Sequence, residues 1–94
     1  MPGIQVPLEY ATMNDDDKVG YWYAHLYRAM RWAGEDGIEE TTILDRREHA
    51  ALLAADPDID RLMPQILRHL ARMWMEPAST FMAKVNSQMG TRYC

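Results

Sequence analysis

Apolar residues recur at three- and four-residue spacings through most of this chain, a period that predicts helices. The clearest run is Ile59, Leu62, Met63, Ile66, Leu70, Met73 and Trp74. Asp56-Pro57 ahead of it reads as an N-cap followed by proline at the first helical position. Pro64 falls inside the run, yet the apolar phase continues unchanged across it. That predicts one kinked helix rather than two separate ones. Pro77 disfavours helical geometry at the residue before it, so the helix should end near Glu76. Ala78, Phe81, Met82, Val85 and Met89 then form another stripe, with Gly90 as its stop. The tail, Thr91 to Cys94, is too short to assign.

Upstream, the stretch Val19–Trp32 is apolar on more than one face and holds five of the nine aromatics. Asn14 is placed to cap it, and Asp15, Asp16 and Asp17 put negative charge at the positive end of the helix dipole. Gly34 is a natural residue just past its end. A polar loop over 34–40 follows. Thr41 or Thr42 then caps a second helix, with Asp45 three residues after Thr42 in the manner of a capping box. This helix runs to about Ala55. Ile43, Ala50 and Ala54 share one of its faces, and small residues there would let a neighbouring helix approach closely. At the N-terminus, Ile4, Val6, Leu8 and Tyr10 alternate with a two-residue period, as in extended chain. Pro7 keeps such a segment out of a sheet interior. The pattern therefore predicts an all-α protein, a small bundle of about four helices with an extended N-terminal arm. Residues 1–13 are the arm and 14–94 a single helical domain.

Composition narrows the function classes. A chain of 94 residues with 48% hydrophobic and 26% charged residues is ordinary globular material for one core. No apolar run approaches the ~20 residues of a membrane span, and MPGIQVPLEY does not read as a secretory signal. The single cysteine, Cys94, cannot form an intramolecular disulfide, which fits a reducing cytoplasm. Charge is uneven. Residues 1–60 carry thirteen acids and five bases, a balance of −8, whereas residues 61–94 carry one acid and five bases, a balance of +4. Arg61, Arg68 and Arg72 fall within about 40° of one another on a helical projection at ~100° per residue. This basic stripe could hold phosphate, but the acid-rich first half is the nearer complement, within one molecule or between copies. The acidic total argues against direct nucleic-acid binding.

Candidate chemistry is sparse. Asp56, Asp58 and Asp60 begin like a calcium loop, but Arg61 stands where glycine is required and Leu67 where glutamate is. Asp45 and His49 lie four apart, yet two ligands do not make a metal site. His25 and His69 add no ligand spacing. No phosphate loop, nucleophile elbow or Cys/His pair is present, so no catalytic residue, metal or cofactor is assigned.

The aromatic helix carries the remaining signal. Val19, Trp22, Tyr23, Leu26, Met30 and Ala33 make one arc, expected to face the core. Tyr21, His25, Arg28 and Trp32 make a second. Folding alone could bury the second arc, but Tyr, Trp and Arg are also the residues enriched at energetic hot spots of interfaces. The sequence therefore predicts a non-enzymatic interaction module acting by surface occupancy. An inhibitor or adaptor of a larger complex, of the kind small virus-encoded proteins provide in the host cytoplasm, is the leading form. A structural subunit of a homo-oligomeric or virion-like assembly is the alternative. A ligand-binding bundle with a pocket lined by Trp22, Tyr23 and Trp74 is the lesser one.

Overall fold

The computed structural model describes residues 4–35 and 44–94, the side chains of 30–35 excepted. A 3₁₀ helix at Leu8–Thr12 precedes four α-helices: α1 Asp15–Glu35, α2 Arg46–Ala55, α3 Ile59–Met73 and α4 Ala78–Met89. No strand occurs among the described residues. The all-α bundle of four helices expected from periodicity is the fold observed.

α3 is the central element and packs against α1, α2 and α4. Its Ile59, Leu62, Met63, Ile66, Leu67, Leu70 and Ala71 are all buried, a wider arc than one amphipathic stripe supplies. Val19, Trp22 and Leu26 of α1, Leu52 of α2, and Phe81, Met82, Val85 and Met89 of α4 close around it. Pro64 lies within α3, which runs through it as a single helix.

The helix ends show where local rules held and where they gave way. Asn14 caps α1 as expected, its Oδ1 accepting from the Asp17 amide at 2.8 Å. Gly34 does not stop α1, which continues to Glu35. Thr41, Thr42 and Ile43 lie outside the described residues. α2 is capped by Asp45 itself, whose carboxylate accepts from the Glu48 amide at 2.8 Å. Ala50 and Ala54 are exposed, so the small-residue face does not meet a helix. Leu52, with Leu53 and Ala55 beside it, packs inward instead.

Asp56 does not begin α3 directly. Its Oδ1 accepts from the Asp58 amide at 3.0 Å and its carbonyl from the Ile59 amide at 3.0 Å, so a turn over Pro57-Asp58 comes first. α3 also ends three residues before Glu76. The Glu76 amide donates to the Ala71 carbonyl and the Met75 amide to the Arg72 carbonyl, each at 3.0 Å. These paired bonds are a Schellman motif. Its left-handed position is filled by Met75 at φ 55° rather than by glycine. α4 ends on Gly90 at φ 71°, the residue type that geometry favours.

The N-terminal arm is held to the bundle. Pro7 is extended, but the two-residue alternation stops there, because the 3₁₀ turn points Leu8 outward and Tyr10 inward. Leu8 is 96% exposed and Tyr10 only 6%. Ile4 and Val6 pack partly against the core. The Trp22 indole N–H donates to the Tyr10 hydroxyl at 2.8 Å, and that hydroxyl donates to Asp56. One side chain thus ties the arm to α1 and to the α2–α3 turn. The tail is held similarly. The Tyr93 amide donates to Asn86 Oδ1 at 2.9 Å, and its hydroxyl bonds Asp60 and approaches His49 Nε2 at 2.8 Å.

Burial, and after it the bond to Asp56, pushes the Tyr10 hydroxyl up from 10.0 to about 12. Burial and then Asp60 push Tyr93 up as well. Between pH 10 and 12 the unfolded chain loses these protons before the folded one, so stability falls as pH rises. The contribution is complete below pH 10 and disappears as pH climbs through the folded value. Unfolding free energies from denaturant titration are expected to drop steadily above pH 10, by an amount on the order of 2 kcal/mol for Tyr10. Tyr10→Phe should flatten part of that slope. A midpoint unchanged from pH 9 to pH 11.5 would contradict this account.

Candidate functional site

The sequence-predicted arc on α1 divides on folding. The Tyr21 ring is half-buried, edge-on to Tyr10 at 5.6 Å and to Trp22 at 4.9 Å between centroids. His25 meets Trp22 edge-on at 5.6 Å, and its Nε2 lies 3.9 Å from Glu48 Oε1. Both residues therefore serve contacts to the arm and to α2. Arg28 is exposed. The Trp32 side chain, like those of Met30 and Ala33 from the core arc, lies outside the described residues.

The three arginines are likewise separated in use. Arg61 forks between Asp15 and Asp58, with guanidinium–carboxylate distances of 2.7 and 2.6 Å. Hydrogen bonds from Arg61 hold both carboxyl groups below the usual carboxylate range. This is pairing with the acid-rich half, as the charge asymmetry predicted. Arg68 donates to the Cys94 carbonyl at 3.2 Å. Arg72 is exposed, with no ion pair among the described residues.

A second row of rings, which the sequence pattern did not bring together, crosses the other side of α1. His69 meets Tyr23 at 5.9 Å, Tyr23 stacks on Tyr27 at 6.0 Å, and Tyr27 meets Trp74 edge-on at 5.7 Å. Trp74 then stacks on Phe81 at 6.5 Å, which anchors the row in the core. Tyr23, Tyr27 and Trp74 are each half-buried, so each offers part of a ring to the surface. Met73 and Met75 flank Trp74 at 48% and 92% exposure. Tyr23 was expected in the core arc, and Met73 and Trp74 in the buried stripe of α3. Met73 and Trp74 stand at the shoulder where the Schellman turn ends α3, and Tyr23 stands where α1 borders an open groove.

These contacts also fix the relation of α1 to α3. Asp15 meets Arg61, Tyr23 meets His69, and Tyr27 meets Trp74, offsets of 46, 46 and 47 residues. The two helices therefore run side by side in the same direction. Their shared outer face holds Asp16, Gly20, Tyr23 and Tyr27 from α1, and Gln65, His69 and Arg72 from α3. A groove of about 290 Å³ opens between them, bordered by Asp16, Val19, Gly20, Tyr23, Gln65 and His69. A second groove, about 390 Å³, lies between α4 and the tail, with Arg68, Met82 and Tyr93 on its walls.

The other chemical candidates have structural uses. Asp45 caps α2, and His49 contacts Tyr93. Trp22 is fully buried with its N–H bonded, whereas Tyr23 borders the open groove and Trp74 packs on Phe81. Neither groove described among these residues is lined by all three. No helix among the described residues is long and apolar enough to cross a membrane. No protein-family model matches this chain, nor does any curated protein or solved structure.

Proposed function

We propose that this chain is a non-enzymatic, cytoplasmic interaction module that acts by covering part of a larger complex, as an inhibitor or adaptor. The surface it uses is the outer face of α1 and α3 with the ring row that ends at Met75. Partly exposed Tyr and Trp, exposed Met and an Arg with no ion pair among the described residues are the composition of interface cores. Arg28 and the arc of Tyr21, His25 and Trp32 make the second surface that could serve.

Met75 carries this reading. It occupies a left-handed position at φ 55°, which costs a non-glycine residue roughly 1–2 kcal/mol. Its side chain is 92% exposed, so folding recovers little of that cost. Glycine would serve the turn better and methionine serves a contact better. An adaptable thioether side chain beside Trp74 is suited to an apolar partner surface.

Met75→Gly is therefore expected to raise stability by about 1 kcal/mol, a gain of roughly 4 °C or more in Tm, while weakening capture of a partner. The measurement is affinity capture from native cells with the full chain, comparing wild type, Met75→Gly and Arg28→Ala, with mass-spectrometric identification. A protein retained by wild type and Arg28→Ala but lost with Met75→Gly supports the assignment. Loss with Arg28→Ala alone would move the site to the Tyr21, His25, Arg28 and Trp32 face. Recovery of a nucleotide or metabolite in place of a protein would overturn it.

A structural subunit of a homo-oligomeric assembly is the second reading. The opposed charges of the two chain halves favour it.

A further inference from the structure

We propose that Met75, with Met73 beside it, is an oxidation site. There a peroxide converts thioether to sulfoxide and switches the apolar shoulder around Trp74 to a polar one. This rests on the reading of that shoulder as part of the docking surface, and adds how the surface is regulated.

Exposure singles out the two sulfurs. Met75 is 92% exposed and Met73 48%, whereas Met63, Met82 and Met89 are buried in the core and Met13 is half-buried. A peroxide must reach the thioether lone pair, so access sets the order of reaction. The sulfur attacks one peroxide oxygen and the O–O bond breaks. That oxygen becomes the sulfoxide oxygen, the other leaves as water, and the sulfur gives up two electrons to the peroxide. A sulfoxide reductase returns them from two thiols: the oxygen leaves as water and the thiols become a disulfide.

The fold is indifferent to the change. Met75 serves the turn through its backbone, the amide donating to the Arg72 carbonyl at 3.0 Å. Neither Met73 nor Met75 is part of the core cluster. Trp74, between them in sequence, stays stacked on Phe81. The sulfoxide dipoles therefore project into water and alter only the surface.

Residue type is the second observation. A position at φ 55° suits glycine, and an apolar contact alone would be met by leucine. Neither reacts with a peroxide. A thioether provides the contact in one state and withdraws it in the other, flexible and apolar when reduced, polar and chiral when oxidised.

The test treats the full chain with hydrogen peroxide and maps sulfoxide at each methionine over time by peptide mass spectrometry. Met75 is expected to react first and Met73 next, each about tenfold or more faster than Met63, Met82 and Met89. The product should elute earlier from a hydrophobic-interaction column, with Tm within about 2 °C of the untreated protein. The double variant Met73→Leu, Met75→Leu should lose most of that elution shift, and sulfoxide reductase with dithiothreitol should reverse it in wild type. Reaction at a core methionine before Met75 overturns the proposal. So does a fall in Tm that accompanies Met75 oxidation, or an elution shift that persists in the double variant. Capture from native cells reads the consequence for docking. A protein held by untreated wild type should be lost after oxidation and kept by the oxidised double variant. A protein lost with Met75→Gly but held by oxidised wild type overturns the switch and leaves the docking surface standing. If Met75 reacts first and no captured protein responds to oxidation or to Met75→Gly, the docking assignment fails and the oxidation site stands.

Discussion

Trp22→Ala is expected to destabilise the protein by about 3–5 kcal/mol, the range for removing a large buried aromatic. The indole is fully buried and touches the rings of Tyr10, Tyr21 and His25 edge-on. Its N–H also carries the hydrogen bond that secures Tyr10. The substitution therefore opens a cavity and frees the arm at the same time. A domain of this size has on the order of 5–15 kcal/mol in total, so the variant should be close to half-unfolded under mild denaturant. Tyr10→Phe separates the two effects. It keeps the ring and removes the hydroxyl, leaving the buried indole N–H and Asp56 without that partner, at a cost of about 1–3 kcal/mol. Urea titration with tryptophan fluorescence measures both. Equal losses for the two variants would mean that the hydrogen bonds, and not the packing, carry the anchor.

Pro64→Ala is expected to stabilise by about 2 kcal/mol. Proline at this place cannot donate to the Asp60 carbonyl, and its ring crowds the turn before it, a defect worth ~3 kcal/mol in a helix interior. Part of the gain is offset because alanine returns roughly 0.4–1 kcal/mol of conformational freedom to the unfolded chain. α3 already runs through this residue, and its buried positions keep phase on both sides, so no repacking is required. Thermal unfolding should show a Tm increase of several degrees. A decrease would mean that the backbone geometry proline favours at this position is needed to fit α3 between α1 and α4.

The calcium-loop test in Asp56–Leu67 shows why motif spacing outperforms residue type. The carboxylates looked like ligands, but their neighbours forbade the loop, and the fold uses each as a local acceptor. Asp56 takes Tyr10 and the Asp58 amide, Asp58 takes Arg61, and Asp60 takes Tyr93. The face proposed for docking was less legible. Periodicity places Tyr23 only 40° or so from the core arc, too close to separate a buried ring from a shoulder one. Met73 and Trp74 continue the apolar phase of α3 and look buried until the turn at Met75 is known.

What the sequence determined by itself was the set of helices, the Asn14 cap, the Gly90 stop, the continuity of α3 across Pro64, and the attraction between the acidic and basic halves. All of these follow from spacing, backbone propensity or net charge, which act over a few residues or over the whole chain. Only the tertiary structure decided that Tyr10 plugs the core, that α1 and α3 run parallel with a constant offset, and that Gly20 lies bare on their shared face. It also decided that Met75 takes a left-handed position. Those outcomes depend on which side chains meet across the bundle and how a turn directs them. Local patterns carry no such information, because one helical stripe can face any of several neighbours at similar cost.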